Sequence, residues 1–168
     1  MKTLSNSATV QKHPLFLPKR RVDVRVELLN GNTMSGSFYA DRNNRSGGPG
    51  RVSDRLNSDS EPFLPLAVED GHILVRKAVI ATVQMDDEPW ETPQPAPNTT
   101  ELQLRVKLMN GSTTSGTVVA VLPKGSRALD YLNTNDAGFF ALIAADSKIV
   151  LVNARHVESV IEFIEPLV

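Results

Sequence analysis

Residue types that bind phosphate and carboxylate groups occur twice at one spacing in this sequence. The pattern Arg-x-x-Asp-x-x-Asn is formed by Arg51, Asp54 and Asn57 and again by Arg127, Asp130 and Asn133. A guanidinium can grip a phosphate through two parallel N–H bonds, which would make a ligand site of each pattern. Aspartate and asparagine also cap helix ends, so the alternative is a structural Arg–Asp pair with a capping asparagine. Both interpretations remain open from the residues alone.

A glycine-rich loop precedes the first pattern and carries two further arginines, Arg42 and Arg45. Arginines beside glycines suggest a clamp for a cyclic dinucleotide, and a solvated loop is the alternative. Gly47 to Gly50 are not followed by Lys-Ser or Lys-Thr, which excludes the phosphate-binding loop of nucleotide hydrolases. If the chain is a small-ligand or nucleotide sensor, Arg51 and Arg127 should face a cleft.

The catalytic and metal-binding residue types show no pattern of their own. There is no cysteine, so disulfides, thiolate zinc sites and cysteine nucleophiles are all excluded. His13, His72 and His156 are far apart in sequence and lack metal-ligand spacing. Because the repeats place no Ser-His-acid set or carboxylate pair, we expect a non-catalytic protein without metal or cofactor.

A duplication positions these residues. Arg25 to Ala40 and Arg105 to Ala120 are identical at nine of sixteen positions, at a constant offset of eighty residues. In the first copy, Val22, Val24 and Val26 alternate with charged residues, which predicts a half-buried strand. Asn30-Gly31 then predicts a tight antiparallel hairpin.

The same order of elements is predicted for both copies. Each copy should hold five short strands and one helical turn, the turn coinciding with the Arg-x-x-Asp-x-x-Asn pattern. We therefore predict an all-β protein of two tandem, small, bent antiparallel β-barrels. The expected organisation is a flexible arm at 1–18, a first barrel module at 19–85, a proline-rich acidic linker at 86–100 and a second barrel module at 101–168.

The linker contains the single tryptophan, Trp90. Four prolines and four acidic residues make this segment a semi-extended tether. Trp90 is a candidate anchor on a barrel or on a partner, and an exposed linker position is the alternative.

A family resemblance is carried by a strand, a turn and a later strand. These segments are Val24-x-Val26-x-Leu28-x-Asn30-Gly31, then Gly36, and then Ile73 to Val83. They resemble the two halves of an Sm-like domain, closest to the bacterial Hfq branch, and SH3-like barrels share the same parts. The sequence departs from that family in the loop and helical turn between the halves, and it shows no N-terminal helix.

The resemblance implies RNA binding by a ring, with a Lys-His pair that contacts uridines. That pair falls on Lys77 and Ala78 in the first copy and on Ala154 and Arg155 in the second, so one of four positions matches. Arg76, beside Lys77, would add a phosphate contact. A net charge of -1 and 5% aromatic residues provide few phosphate contacts and few stacking platforms, which argues against this alternative.

We therefore expect a non-catalytic interaction or assembly module. Small bent sheets leave unpaired strand edges, which a sister module, another copy or a partner's strand must cover. Three two-module chains would imitate a ring of six units. The first residues lack the features of a secretory signal and no apolar run is long enough to span a bilayer, so the expected location is the cytoplasm, with no membrane partner.

Overall fold

The computed structural model describes residues 19–42, 48–86, 88, 91, 96–135 and 138–164. Ten β-strands and two short α-helices make up the regular structure of these ranges, which confirms the predicted all-β class. The predicted arm at 1–18, Arg45 and Trp90 lie outside the described residues. Within those ranges, no helix has the length and apolar character that crossing a membrane requires.

The first repeat follows its alternating sequence pattern. Val22, Val24 and Val26 are buried, while Asp23 and Arg25 between them face solvent. The elements are β1 (Lys19–Leu28), β2 (Thr33–Asp41), α1 (Val52–Leu56), β3 (Phe63–Val68), β4 (Gly71–Arg76), a 3-10 turn (Lys77–Val79) and β5 (Ile80–Met85).

The second repeat has the same elements in the same order. They are β6 (Thr99–Leu108), β7 (Thr113–Val121), α2 (Ala128–Thr134), β8 (Phe139–Ile143), β9 (Ile149–Asn153), a 3-10 turn (Ala154–His156) and β10 (Val157–Phe163). Each repeat thus contributes the five strands and one short helix that its sequence predicts.

Glycine stands where the second strand of each repeat crosses the third. A Cβ atom on Gly116 would lie 2.6 Å from the carbonyl oxygen of Ile143, and one on Gly36 would lie closer still to that of Ala67. The two backbones can approach so closely only without a side chain between them. The repeated glycines therefore mark a close backbone approach in each repeat.

All ten strands lie in one antiparallel sheet, in the order β10-β6-β7-β8-β9-β5-β1-β2-β3-β4. The joint between the repeats is the pairing of β5 with β9, in which Thr82–Met85 face Ile149–Val152. β4 and β10 are therefore the two edges of the sheet. Because the pairing runs continuously through both repeats, it does not by itself divide the chain into the two predicted barrels.

Two hydrophobic cores lie on either side of this joint. One is formed mainly by the first repeat and the other mainly by the second. Phe139, Ile149 and Leu151 of the second repeat pack into the first core, and Ala81 of the first repeat packs into the second. Each repeat therefore supplies part of its sister's core, which couples the two.

Candidate functional site at the joint between the repeats

Asn57, directly after α1, connects the first repeat to the second. Its Nδ2 donates to the carbonyl oxygen of Phe139 at 3.1 Å, and its Oδ1 accepts from the Phe139 N–H at 2.8 Å. A carboxamide that pairs with both backbone groups of one residue acts like a neighbouring strand. Asn57 thereby fixes the start of β8 against α1.

The aspartates of the repeated pattern cap their own helices. Asp54 Oδ2 accepts from the Arg51 N–H at 3.0 Å, and Asp130 Oδ2 accepts from the Arg127 N–H at 2.8 Å. Both bonds are local, as expected at a helix N-terminus. The structure thus gives these two aspartates the capping role.

Asn57 does not adopt the left-handed backbone by which a capping asparagine often ends a helix. Its backbone is right-handed, with φ -88° and ψ -3°. Lys77 explains why no left-handed cap is needed, since its Nζ donates to the carbonyl oxygens of Arg55, at 3.0 Å, and Ser58. An ammonium group satisfies the carbonyls that a helix leaves free at its C-terminus.

Lys77 is consequently a buried structural cation. Burial lowers the pKa of its ammonium group, and the nearby carboxylates of Glu61 and Asp59 oppose that shift. With its donors directed at α1, Lys77 presents little of its charge to a ligand. The one position that matches the Lys of the Sm-like pair is thus engaged inside the protein.

A polar cleft of about 520 Å³ opens over the joint. Arg76 and Arg155 are exposed at its rim, and neither has an ion-pair partner among the residues that the structure describes. The described lining residues are Leu56, Asn57, Ser58, Asp59, Pro62, Arg76, Lys77, Ala78, Gly138, Phe139, Asn153, Arg155 and His156. Arg76 and Arg155 are the exposed cations of this lining and Asp59 is its single carboxylate, so the rim favours anions.

The other predicted contact residues that the structure describes do not line this cleft. Arg42 is exposed just after β2, and Arg51 is exposed before α1. Arg127 forms an ion pair with Glu162 on β10, Nε to Oε1 at 3.1 Å. Asn133 is exposed on the last turn of α2. The structure thus gathers Asn57, Arg76, Lys77 and Arg155 at one cleft, but does not bring Arg51 and Arg127 to it.

Three residues at the joint were missed by the sequence analysis. Asn110 Nδ2 donates to Glu27 Oε1 at 2.9 Å and to the Leu28 carbonyl at 3.1 Å. Asn153 Nδ2 donates to the Ile80 carbonyl at 3.0 Å, and His156 Nε2 lies 2.6 Å from the Ala78 carbonyl oxygen. Asn110 repeats Asn30, which is a signal that the sequence contains. Asn153 and His156 have no such repeated counterpart.

The two edge strands complete the candidate site. The hydrogen bond from the Lys77 N–H to the Pro62 carbonyl sets the alternation of the β3–β4 ladder. Along that ladder, the N–H and C=O groups of His72, Leu74 and Arg76 point away from β3. No strand among the described residues pairs with these backbone groups, because β4 ends the sheet.

Comparisons with protein-family models, curated proteins and solved structures find no match to this chain. Among the described residues, no three His, Asp or Glu side chains are grouped so as to hold a metal ion. The joint, its cleft and the two edges are therefore the features from which a function is inferred.

Proposed function

We propose that this chain is a non-catalytic interaction and assembly module, which binds protein partners by strand addition at its two edges, β4 and β10. A strand that joins a sheet edge gains main-chain hydrogen bonds, and the side chains beside them provide specificity. The observation that carries this proposal is the contrast between equivalent positions of the two repeats. Those positions are buried in the internal joint and exposed at the free edge.

The contrast is clearest between β9 and β4. Leu151 on β9 is 0% exposed, whereas Leu74, its equivalent on β4, is 68% exposed. Phe139, at the start of β8, is 6% exposed, and its equivalent Phe63 is 50% exposed. Natural proteins rarely leave apolar side chains along an unpaired strand, because such an edge recruits other strands.

The opposite edge has the same character. Ile161 and Phe163 on β10 are about half exposed, and Ile164 follows them at 63%. The equivalent strand β5 is buried along most of its length, since β9 covers it. Both edges thus carry apolar surface that a partner strand would cover.

Within this proposal, each repeat is a small bent barrel of the Sm-like or SH3-like kind. The shared element order and the two separate cores support that description. An edge contact of the β5–β9 kind is head to tail, and such contacts close into rings when the rotation permits. Three copies would form a ring of six modules.

The proposal is tested by charging one edge. In Leu74→Lys an ammonium group replaces an exposed side chain, so folding should be preserved while strand addition at β4 is blocked. Val121→Lys is the matched control, because Val121 is 69% exposed on β7, which is not an edge strand. We expect light scattering to show that Leu74→Lys loses the assemblies formed by the native chain, whereas Val121→Lys keeps them. Association unaffected by either variant would contradict the proposal.

A second candidate function, binding of RNA, is favoured by two arginines at the cleft that have no ion-pair partner in the described part of the chain. Arg76 and Arg155 come from different repeats and meet above the joint with His156. Guanidinium groups without a protein partner are free to bind phosphates bidentately. This candidate relies on the arginines, because Lys77 is engaged with α1.

The RNA candidate predicts a strong dependence on salt. Single-stranded RNA affinity should fall as ionic strength rises, and Arg76→Glu with Arg155→Glu should abolish it. Arg42→Glu is the matched control, since Arg42 is exposed and lies outside the described cleft. An affinity that the double variant leaves unchanged would reject this candidate.

The nucleotide-sensor alternative has less support. It required Arg51 and Arg127 to face a cleft, and Arg127 instead pairs with Glu162. Arg51 presents its backbone N–H to Asp54 at the start of α1. Neither residue lines the cleft at the joint.

A further inference from the structure

We propose that the partner at both edges is a second copy of this chain, with β10 of one copy paired with β4 of the next and Asn133 as the clamp of that contact. This inference rests on the proposed strand addition and names its occupant. Two repeated asparagines indicate a copy of the chain in preference to an unrelated strand. Each side-chain amide donates across the internal joint in one repeat, whereas in the other repeat it donates to no residue that the structure describes.

The first pair is Asn57 and Asn133. Asn57 reaches across the joint to both backbone groups of Phe139. Asn133 occupies the same place in the second repeat, six residues before Phe139 as Asn57 is six before Phe63. It lies in the last turn of α2, where its exposed side chain has no hydrogen-bond partner within the described ranges. Its equivalent target is Phe63 of the next copy.

Phe63 has the geometry that this clamp requires. The adjoining bond from the Lys77 N–H to the Pro62 carbonyl places Phe63 and Arg76 at a non-hydrogen-bonded position of the β3–β4 ladder. The N–H and C=O of Phe63 therefore point away from β4. Phe139 presents the same two groups to Asn57, at the corresponding place beside Asn153.

The second pair is Asn110 and Asn30. Whereas Asn57 reaches from the first repeat to the second, Asn110 reaches from the second repeat to the first. Asn110 in the second repeat donates back to Glu27 and the Leu28 carbonyl of the first. Asn30 is exposed in the same turn of the first repeat, where its Oδ1 accepts from the Asn32 N–H at 3.0 Å and its Nδ2 remains available as a donor. Its equivalent target is the Leu108 carbonyl of the preceding copy. The side-chain amides of Asn133 and Asn30 thus serve the same contact, from its two sides.

The internal joint also sets the register of the proposed contact. Thr82–Met85 pair with Ile149–Val152 in reverse order. When the same register is applied to the equivalent strands β10 and β4, Val160 faces Leu74, Ile161 faces Ile73, and Glu162 faces His72. The exposed apolar residues of the two edges then meet each other, and a carboxylate meets an imidazole. A symmetric β4–β4 contact would not combine these groups.

Disulfide trapping tests this register directly, because the chain has no cysteine of its own. Ile73→Cys and Ile161→Cys are prepared as separate proteins, mixed and oxidised. In the internal joint, the residues equivalent to Ile161 and Ile73 are Gln84 and Val150. They form a non-hydrogen-bonded pair, the kind of pair in which the Cβ atoms of two antiparallel strands are closest to each other. We expect a covalent dimer from the mixture and none from either variant alone. Gln84→Cys with Val150→Cys in one chain is the positive control.

The outcomes separate this inference from the proposed function. No dimer from the mixture, or a dimer from Ile73→Cys alone, would overturn the head-to-tail contact. If the chain still associated and Leu74→Lys still abolished that association, strand addition would stand with another partner. If the native chain bound neither itself nor another protein under any condition, both the strand-addition proposal and the head-to-tail contact would be contradicted.

Variants of the clamp provide the second measurement. Asn133→Ala should raise the dissociation constant between copies roughly tenfold, as expected for the loss of hydrogen bonds to a backbone. Leu129→Ala is the control, since Leu129 is an exposed residue of the same helix. Equal dissociation constants for Asn133→Ala and the native chain would remove Asn133 from the contact.

Discussion

Asn57 and Phe139 are 82 residues apart in sequence, yet the side chain of Asn57 bonds to both the N–H and the C=O of Phe139. This pairing lies beside the β5–β9 joint and belongs to the set of contacts that unites the repeats. A duplicated chain offers every such contact twice. Here one set is made within the chain and the other set faces solvent at β4 and β10.

The hydrogen bonds between Asn57 and Phe139 should make a measurable contribution to the free energy of unfolding. Asn57→Ala leaves the buried backbone groups of Phe139 without partners, so we expect a loss of about 1–3 kcal/mol in the free energy of unfolding. Asn133→Ala, in dilute protein, should change it by less than about 0.5 kcal/mol, because Asn133 is exposed. Urea denaturation of both variants checks the difference. Equal losses would show that Asn57 does not hold the repeats together.

The glycine crossings should not tolerate a methyl group. Gly116→Ala places a Cβ 2.6 Å from the Ile143 carbonyl oxygen, so β7 and β8 must separate. Overpacking of this kind costs about 1–3 kcal/mol. Ser115→Ala, at the exposed neighbouring position, is the control and should be neutral. Thermal unfolding measures both, and a neutral Gly116→Ala would contradict the close approach.

Glu91 should anchor the segment that follows β5. It is 4% exposed, and its carboxylate accepts from the Ser53 N–H at 3.0 Å and from the Ser53 hydroxyl at 2.6 Å. Glu91→Ala leaves these two donors at the start of α1 without an acceptor. We expect the free energy of unfolding to fall by about 1–3 kcal/mol. Limited proteolysis between the repeats should become faster. Glu69→Ala, at an exposed turn, should leave cleavage unchanged.

Glu61 should make a small contribution to stability that acid removes. Hydrogen bonds from Arg55, at 3.1 and 3.2 Å, hold the pKa of its carboxyl below the ordinary value of 4.5. A depressed carboxyl pKa stabilises the fold above pH 4.5, and that stabilisation is lost as the pH falls through the lower, folded-state value. Because the Glu61 side chain is 43% exposed, the effect should stay below about 1 kcal/mol.

Glu61→Gln provides the check. Denaturation curves recorded from neutral pH downward should show a flatter acid dependence for this variant than for the native chain. Glu69→Gln is the matched control and should reproduce the native curve. A variant that is as acid-sensitive as the native protein would assign the dependence to other carboxylates.

The sequence predicts the strands well because a half-buried strand requires a period of two. Val22 to Val26 and the Asn-Gly turns carry that requirement locally, so the hairpins of both repeats follow from the residues alone. The order of the strands across the two repeats does not follow from the residues alone. The pairing of Thr82 with Val152 joins residues 70 positions apart, and many buried strands resemble either of them.

The site was only partly predictable for the same reason. Arg76, Lys77, Arg155 and Asn57 were identified, but nothing local shows that Lys77 points into α1 while Arg76 points outward. The repeat indicates that the two asparagines at 57 and 133 matter. It cannot indicate which of them pairs within the chain, because that depends on which edges the linker brings together.

Hydrogen exchange of the backbone amides, measured over a series of protein concentrations, tests the edge claim most directly. The amides of β9 are the internal reference, because β5 and β8 cover that strand at every concentration. We predict that the amides of His72 and Leu74 exchange quickly in dilute protein and become protected as concentration rises, together with those of β10. Fast exchange at both edges at every concentration, beside a protected β9, would contradict the pairing of copies through their edges.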